Sequence, residues 1–328
     1  MLAGFGARGL LPAAVVAAGL RGQEAGALFA GIAAHVNRPL ERPGTAAAGL
    51  LLAAAGQRRG WPVAEGGSAR LAAALASLLV SLGGRLETGV EVTALAELGR
   101  PAVVMLDTSP AAAAAIAGDR MPEAVRRSYH RWRFGPPVFK VDMAVSAGVP
   151  WAAQRCHRAG TVHVGGTAAE IAAAERDVHR GRMPERPFVL VAQQHVADPS
   201  RSAGDVHPLW AYTHVPFAYD GDATGAIVEQ IERFAPGFRD RVVATSATGP
   251  ADLAAHDPNY TGGDIATGAN DLRQLLFRPR VTAHPYDTGV PGVYLCSAAT
   301  PPGPGVHGMS GHLAARRALA RLGIGPGA

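Results

Sequence analysis

The sequence predicts an α/β fold in which an open layer of strands and helices is interrupted by an inserted α+β domain. Three stretches predict it. The apolar run Val293-Tyr294-Leu295 breaks at the small residues Cys296-Ser297-Ala298-Ala299, passes through a Gly/Pro-rich turn and restarts as a helix-forming tail to Leu319. Leu71, Leu75, Leu78, Leu79 and Leu82 line one helical face between Ser68, a good N-cap, and the terminating pair Gly83-Gly84. Pro101 to Asp107 carries Val103, Val104, Met105 and Leu106, the continuous pattern of a buried strand.

Taken in order, residues 1–57 are apolar and Ala-rich, with helices expected over Leu10 to Leu20, Glu24 to His35 and Thr45 to Ala55 between Gly and Pro punctuation. Residues 58–116 hold the Ser68 helix, a strand expected from Arg85 to Val92 and the buried strand, which together form an open α/β layer. Residues 117–280 are strand-rich. Val138 to Val145 and Trp210 to Val215 alternate, Phe188 to Ala192 is continuously apolar, and Thr167-Ala168-Ala169-Glu170 is a capping box that opens a helix. Residues 281–328 return to the layer, so the two domains are discontinuous in sequence.

Composition narrows the function. The chain has 328 residues, of which 48% are hydrophobic, enough for one or two intertwined globular domains. Lys140 is the single lysine among 31 basic residues, which reads as coding bias towards arginine rather than selection for a charged partner. The net charge of +5 is modest, the arginines are scattered, and the basic and aromatic run Arg126 to Arg133 fits a helix C-terminus, so nucleic acid is not an expected partner. Cys156 and Cys296 have neither disulfide-framework nor zinc spacing, and a reducing cytoplasm fits them. Eight of the twelve histidines fall in residues 117–280, in spacings that repeat no metal-ligand pattern. No metal is expected.

Three motif matches fail on context. Gly4-Phe5-Gly6-Ala7-Arg8-Gly9 fits G-x-G-x-x-G with Glu24 downstream, but too few residues precede it for the strand that must feed such a turn. Arg8 and the apolar run Gly9 to Leu20 imitate a secretion signal, yet Pro12 interrupts the run and no small-x-small cleavage site follows. Gly308-Met309-Ser310-Gly311 misses the spacing of a nucleophile elbow.

The turn after Leu295 remains. A strand that ends in small residues and restarts as a helix presents unpaired N–H groups and a positive dipole end, suited to phosphate or an electron-rich ring oxygen. Gly303, Gly305, Gly308 and Gly311 leave room for a flat ring against the backbone. Spacing alone equally allows a plain Gly/Pro-rich loop before a terminal helix.

Val293 to Leu319 closely resembles the C-terminal flavin-binding motif of the phytoene-desaturase-like NAD(P)/FAD-dependent oxidoreductases, relatives of the amine oxidases. The likeness extends through Gly60-Trp61-Pro62 with Gly66-Gly67-Ser68, Gly83-Gly84, Phe139-Lys140-Val141-Asp142, Gly160-Thr161-Val162-His163, Phe234 to Asp240, and Pro258-Asn259-Tyr260 with Gly262-Gly263-Asp264. It covers nearly the whole chain. The family opens with a βαβ unit whose Gly-rich turn grips the FAD pyrophosphate, and this sequence begins after it, so the resemblance implies a partial Rossmann-like, FAD-binding layer. It implies FAD as cofactor and hydride transfer from an apolar, polyene or lipid-like substrate. Val90 would meet the adenine end, Ser297 and Ala298 the pyrophosphate and ribityl, and Gly308 and Met309 the pyrimidine side, with Gly303 and Gly305 between. His307 would donate a hydrogen bond or a proton, or simply position the turn. Pro304 departs from the Gly of many relatives and removes one N–H donor. The competing expectation is a truncated, non-catalytic homologue or split-flavoprotein subunit that binds an apolar ligand or a separate βαβ chain. With its apolar helices uncovered, the chain is expected to show a large apolar patch and to self-associate, to pair with such a chain or to touch a membrane surface peripherally.

Overall fold

The computed structural model describes residues 2–325; Met1 and residues 326–328, the outer ends of the first and last expected segments, lie outside the described residues. In chain order the elements are α1 (Leu2–Gly9), α2 (Ala13–Ala18), α3 (Gln23–Ala33), α4 (Ala46–Arg59), α5 (Ala69–Ser81), β1 (Val104–Leu106), α6 (Pro110–Ala117), α7 (Glu123–His130), β2 (Val138–Ser146), β3 (Thr161–Val164), α8 (Ala168–His179), β4 (Val189–Ala192), α9 (Gln194–Ala197), β5 (Val206–His214), α10 (Thr224–Glu232), β6 (Val242–Thr248), α11 (Pro250–His256), α12 (Leu272–Leu276), β7 (Val293–Leu295) and α13 (Met309–Arg321). Parallel and antiparallel pairing coexist, so the fold is mixed α/β. The motif-like Gly4 to Gly9 falls inside α1, where no phosphate-binding turn exists.

The chain folds as two compact units, Met1–Thr88 with Pro136–Leu253, and Gly89–Gly135 with Ala254–Ala328. These boundaries differ from the expected 57/58, 116/117 and 280/281, for local reasons. The segment leading into α5 is tied to the first unit, where Gly66 N–H donates to Asp198 Oδ2 (2.8 Å). Residues 254–280 are tied to the second by Asp264, whose Oδ2 accepts from the amides of Gly135 and Gly268 (2.6 and 2.9 Å), and by Gln274, which exchanges hydrogen bonds with the Arg133 backbone.

The first unit is built on an antiparallel sheet of order β3-β4-β5-β2-β6. Alternation sorts its side chains. Phe139, Val141, Met143, Val145, Val162, Val189, Val191, Leu209 and Ala211 face Ile227, Val228 and Ile231 of α10 in one core. The opposite face is covered over β3 and β4, where Phe188 joins Ile171 and Ala172 of α8 and the Ala-rich surfaces of α2 to α4. Thr167 caps α8 with the reciprocal capping box its sequence announces. Helix α5 ends in Gly83 at φ +84°, yet Ser68 makes no side-chain cap and already has helical backbone angles. Its leucines are not core: Leu71, Leu75, Leu78, Leu79 and Leu82 are 44–78% exposed.

The second unit pairs β1 with β7 in parallel, Val104 opposite Val293 and Leu106 opposite Leu295, with Ala113, Tyr129, Trp132 and Ala299 packed around them. The strand expected from Arg85 to Val92 is absent. Those residues find no ladder partner, and an extended segment without one leaves its amides to water.

Candidate functional site

Both parallel strands end at the same level, and both lead into helices. β1 leaves through Asp107 and Thr108 to Ser109, whose hydroxyl accepts from Ala112 N–H (3.2 Å) at the start of α6. Asn259 holds this exit, accepting from Ser109 N–H (2.8 Å) and donating to the Asp107 carbonyl (3.3 Å). β7 leaves through Cys296, whose amide still bonds the Leu106 carbonyl (2.9 Å), and then through Ser297 to Gly308 into α13. The carboxyl ends of neighbouring parallel strands are where open α/β layers bind ligands.

The turn is internally braced. The Ser297 carbonyl accepts from the Thr300 amide and hydroxyl (2.9 and 2.8 Å), Gly303 N–H donates to the Thr300 carbonyl (2.9 Å), and Tyr286 donates to the Pro301 carbonyl (3.1 Å). Behind it lies Arg278, only 2% exposed. Its guanidinium donates to the Ala298 carbonyl (2.8 Å) and to Asn270 Oδ1 (3.0 Å), sits 5.9 Å from the Trp132 ring, and leaves Nε without a partner. Among the described residues it makes no ion pair. Burial pulls it down to about 10, with Asp271 and Asp264 opposing, so it carries its charge at neutral pH. Gly303 has φ +107°, and a Cβ there would stand 3.0 Å from the Arg278 Cζ, so glycine is required for the turn to close on the guanidinium.

At the helix start, Gly308 has φ +59° and supplies no side-chain cap. The first helical bond is His312 N–H to the Gly308 carbonyl (3.1 Å), and the Met309 amide is taken by His307 Nδ1 (3.0 Å). That acceptor role puts the imidazole hydrogen of a neutral His307 on Nε2, which is free to donate. A Cβ on Gly305 would collide with the His307 ring, at 2.8 Å from Cδ2. Cys296 is pushed up to about 11 by burial and by Asp107, so it is a thiol and not a reactive thiolate. Asp107 is itself raised, by burial and by Asp257.

Ser297, Ala298, Gly303, Gly305, His307, Gly308 and Met309 thus share one turn. Val90 stands apart: it is 67% exposed in the irregular segment after Gly89, and none of the turn's hydrogen bonds reaches it. Arg278 and Tyr286 escaped the sequence reading, whereas Asn259 entered it only within the Pro258-Asn259-Tyr260 motif, without a role. The one available signal was an arginine between Phe277 and Pro279 at the end of an apolar run. Among the described residues no group of three His, Cys, Asp or Glu converges as metal ligands would, and no helix is long and apolar enough to cross a membrane.

No family model matches the chain. It is similar to the pyridine nucleotide-disulfide oxidoreductase domain-containing protein 2 of Mus musculus, 30% identical over 154 residues that make up 43% of this chain and 26% of that protein. The Rattus norvegicus protein of the same name is 26% identical over 200 residues, 55% of this chain and 34% of that one. The chain therefore spans about a quarter to a third of the length of these relatives. Its fold matches that of an oxidoreductase from Methanosarcina mazei with a TM-score of 0.56 at 16% identity, over 88% of this chain and 63% of that one. The narrower phytoene-desaturase likeness rests on the motifs alone. The sequence relatives carry the oxidoreductase name and a solved oxidoreductase shares the fold, so what the chain resembles, over part of those relatives' length, is oxidoreductases.

Proposed function

We propose that this chain acts as an FAD-dependent oxidoreductase of the desaturase or dehydrogenase type, on an apolar substrate of polyene or lipid-like character. The observation that carries the reading is the turn between β7 and α13, backed by the buried charge of Arg278. A buried cation behind the turn, together with the positive dipole end of α13, favours an electron-rich group that gains negative charge in front of it. The pyrimidine edge of a flavin has that chemistry. When bound, the flavin supplies the hydride acceptor. The chain's own work is to bind, orient and keep out water: Gly308 and Met309, at the start of α13, face the pyrimidine edge, Gly303 and Gly305 let Arg278 and His307 pack against the turn, and Ser297 and Ala298 take the pyrophosphate and ribityl side. Val90 serves the adenine end. His307 offers its Nε2 hydrogen as a donor.

Visible flavin absorbance after gel filtration tests the reading. The protein saturated with FAD should retain yellow, reducible flavin. Gly308→Glu, which sets a carboxylate where the reduced ring's charge belongs and forces a side chain onto φ +59°, should weaken retention by at least about tenfold. Equal retention by parent and variant would overturn the placement, and no retention by the parent would overturn the function.

A second reading, a non-catalytic homologue or split-flavoprotein subunit that binds an apolar ligand or a partner chain, is favoured by one observation. The leucine face of α5 is exposed along its whole length. Leu75→Glu with Leu78→Glu should then reduce association in light scattering, whereas a parent that stays monomeric at high concentration counts against this reading.

A further inference from the structure

Lys140 is the one lysine in a chain that otherwise uses arginine for every basic residue. Where charge alone is wanted, arginine is what this chain supplies, so the exception marks a place that suits a compact ammonium better than a planar fork. Strand register fixes that place. On the sheet face opposite α10, Lys140 stands between Tyr212 and Thr248, and Asp142 stands between Trp210 and Ser246. The rings of Trp210 and Tyr212 are parallel, 6.0 Å apart at 12°. Lys140 Nζ pairs with Asp142 Oδ2, and the two side chains keep 35% and 46% of their surface exposed. Most of β6 beside them is exposed as well. Further along the same row, the Tyr212 hydroxyl meets His35 Nδ1 (3.4 Å), so the aromatic side of the shelf is held from behind.

This part of the face combines an apolar aromatic surface with a polarised pair of no net charge. The ammonium has donors to spare beyond Asp142, and the carboxylate has spare acceptor positions. A hydroxyl or carbonyl group can use both at once. A fully charged head meets one partner of opposite sign and one of like sign, which cancels most of its gain. We propose that this face binds a flat, apolar molecule through an uncharged hydroxyl or carbonyl head, and that Lys140 with Asp142 selects that head. The inference deepens the proposed function and rests on it only in calling that molecule the substrate.

Three naphthyl probes that differ only in head charge test it on flavin-free protein: 2-naphthalenemethanol, 2-naphthoate and 2-naphthylmethylammonium. Affinity is measured by calorimetry. Acetylation of Lys140 by an amine-reactive ester is followed by mass spectrometry, with the N-terminal amine as the internal reference. The alcohol should bind about tenfold tighter than either ion and should protect Lys140 but not the N-terminus. Lys140→Met should erase the preference, Lys140→Arg should weaken the alcohol several-fold, and Trp210→Ala should weaken all three. All these side chains are at least partly exposed, so folded variants are expected, and circular dichroism checks them. Absence of binding, equal binding of the three heads, a preference for either ion, or Lys140→Arg behaving as the parent overturns the proposal. Because no flavin is present, this outcome is independent of the absorbance result.

Discussion

Replacing Glu175 by Ala should lower the stability of the first unit by about 1 to 3 kcal/mol, the range for leaving the partner of a buried hydrogen bond unsatisfied. Glu175 on α8 accepts from His214 Nδ1 on β5 at 2.8 Å, and both side chains are 1% exposed. The pair fastens the helical layer to the sheet. Glu175 Oε2 and His214 Nε2 have no other partner, so no neighbour stands ready to satisfy the imidazole once the carboxylate is gone. Phe188, 6.0 Å from the His214 ring, keeps water away from the site. With a typical domain stable by about 5 to 15 kcal/mol, such a loss is a large fraction of the total. Glu175→Gln retains an acceptor and should cost about half as much. Denaturant unfolding measures both, and a Glu175→Ala protein as stable as the parent would show that the pair contributes little.

What the sequence revealed depended on whether one stretch carried its own signal. The alternation from Val138 to Val145 predicts β2 because one face is buried and the other polar, which a period of two records directly. The capping box at Thr167 and the strand-to-helix break after Leu295 are also local, and both stand as read. Non-local facts were illegible. Arg85 to Val92 suggests a strand, but among the described residues no neighbouring strand pairs with it. The leucine periodicity of α5 predicts the helix and cannot tell whether its face is covered. Arg278 was hidden among so many arginines because nothing in a sequence marks the one that is buried. The turn itself was found, and the cation behind it was not.

The cluster beside the Glu175 pair should make the same unit acid-labile well above the carboxylate range. His35 Nε2 and His163 Nε2 face each other at 2.9 Å, a contact that works only while one of the two nitrogens lacks a hydrogen. Protonating the acceptor would turn two N–H groups towards one another. Tyr212, His214 and Phe188 close the surroundings without offering a carboxylate to this pair. Burial, with His163 and His214 nearby, holds His35 down at about 3, and burial holds His163 at about 4. Both folded values lie below the unfolded value of 6.5, so the unfolded chain takes up protons first. The stability is complete above 6.5 and falls as the pH drops from there towards 4 and 3. Counting one proton for the coupled pair, the loss is on the order of 2 kcal/mol by about pH 5. Glu170, held down at about 2 chiefly by the Thr167 backbone, loses its contribution only below its ordinary 4.5, so the upper window belongs to the imidazoles. Urea midpoints at neutral pH and at about pH 5 should differ accordingly in the parent. His35→Gln with His163→Gln keeps a donor facing an acceptor but cannot titrate, and should flatten part of that difference, the rest staying with His179, which burial also holds at about 4; a double variant as acid-sensitive as the parent would assign the lability elsewhere.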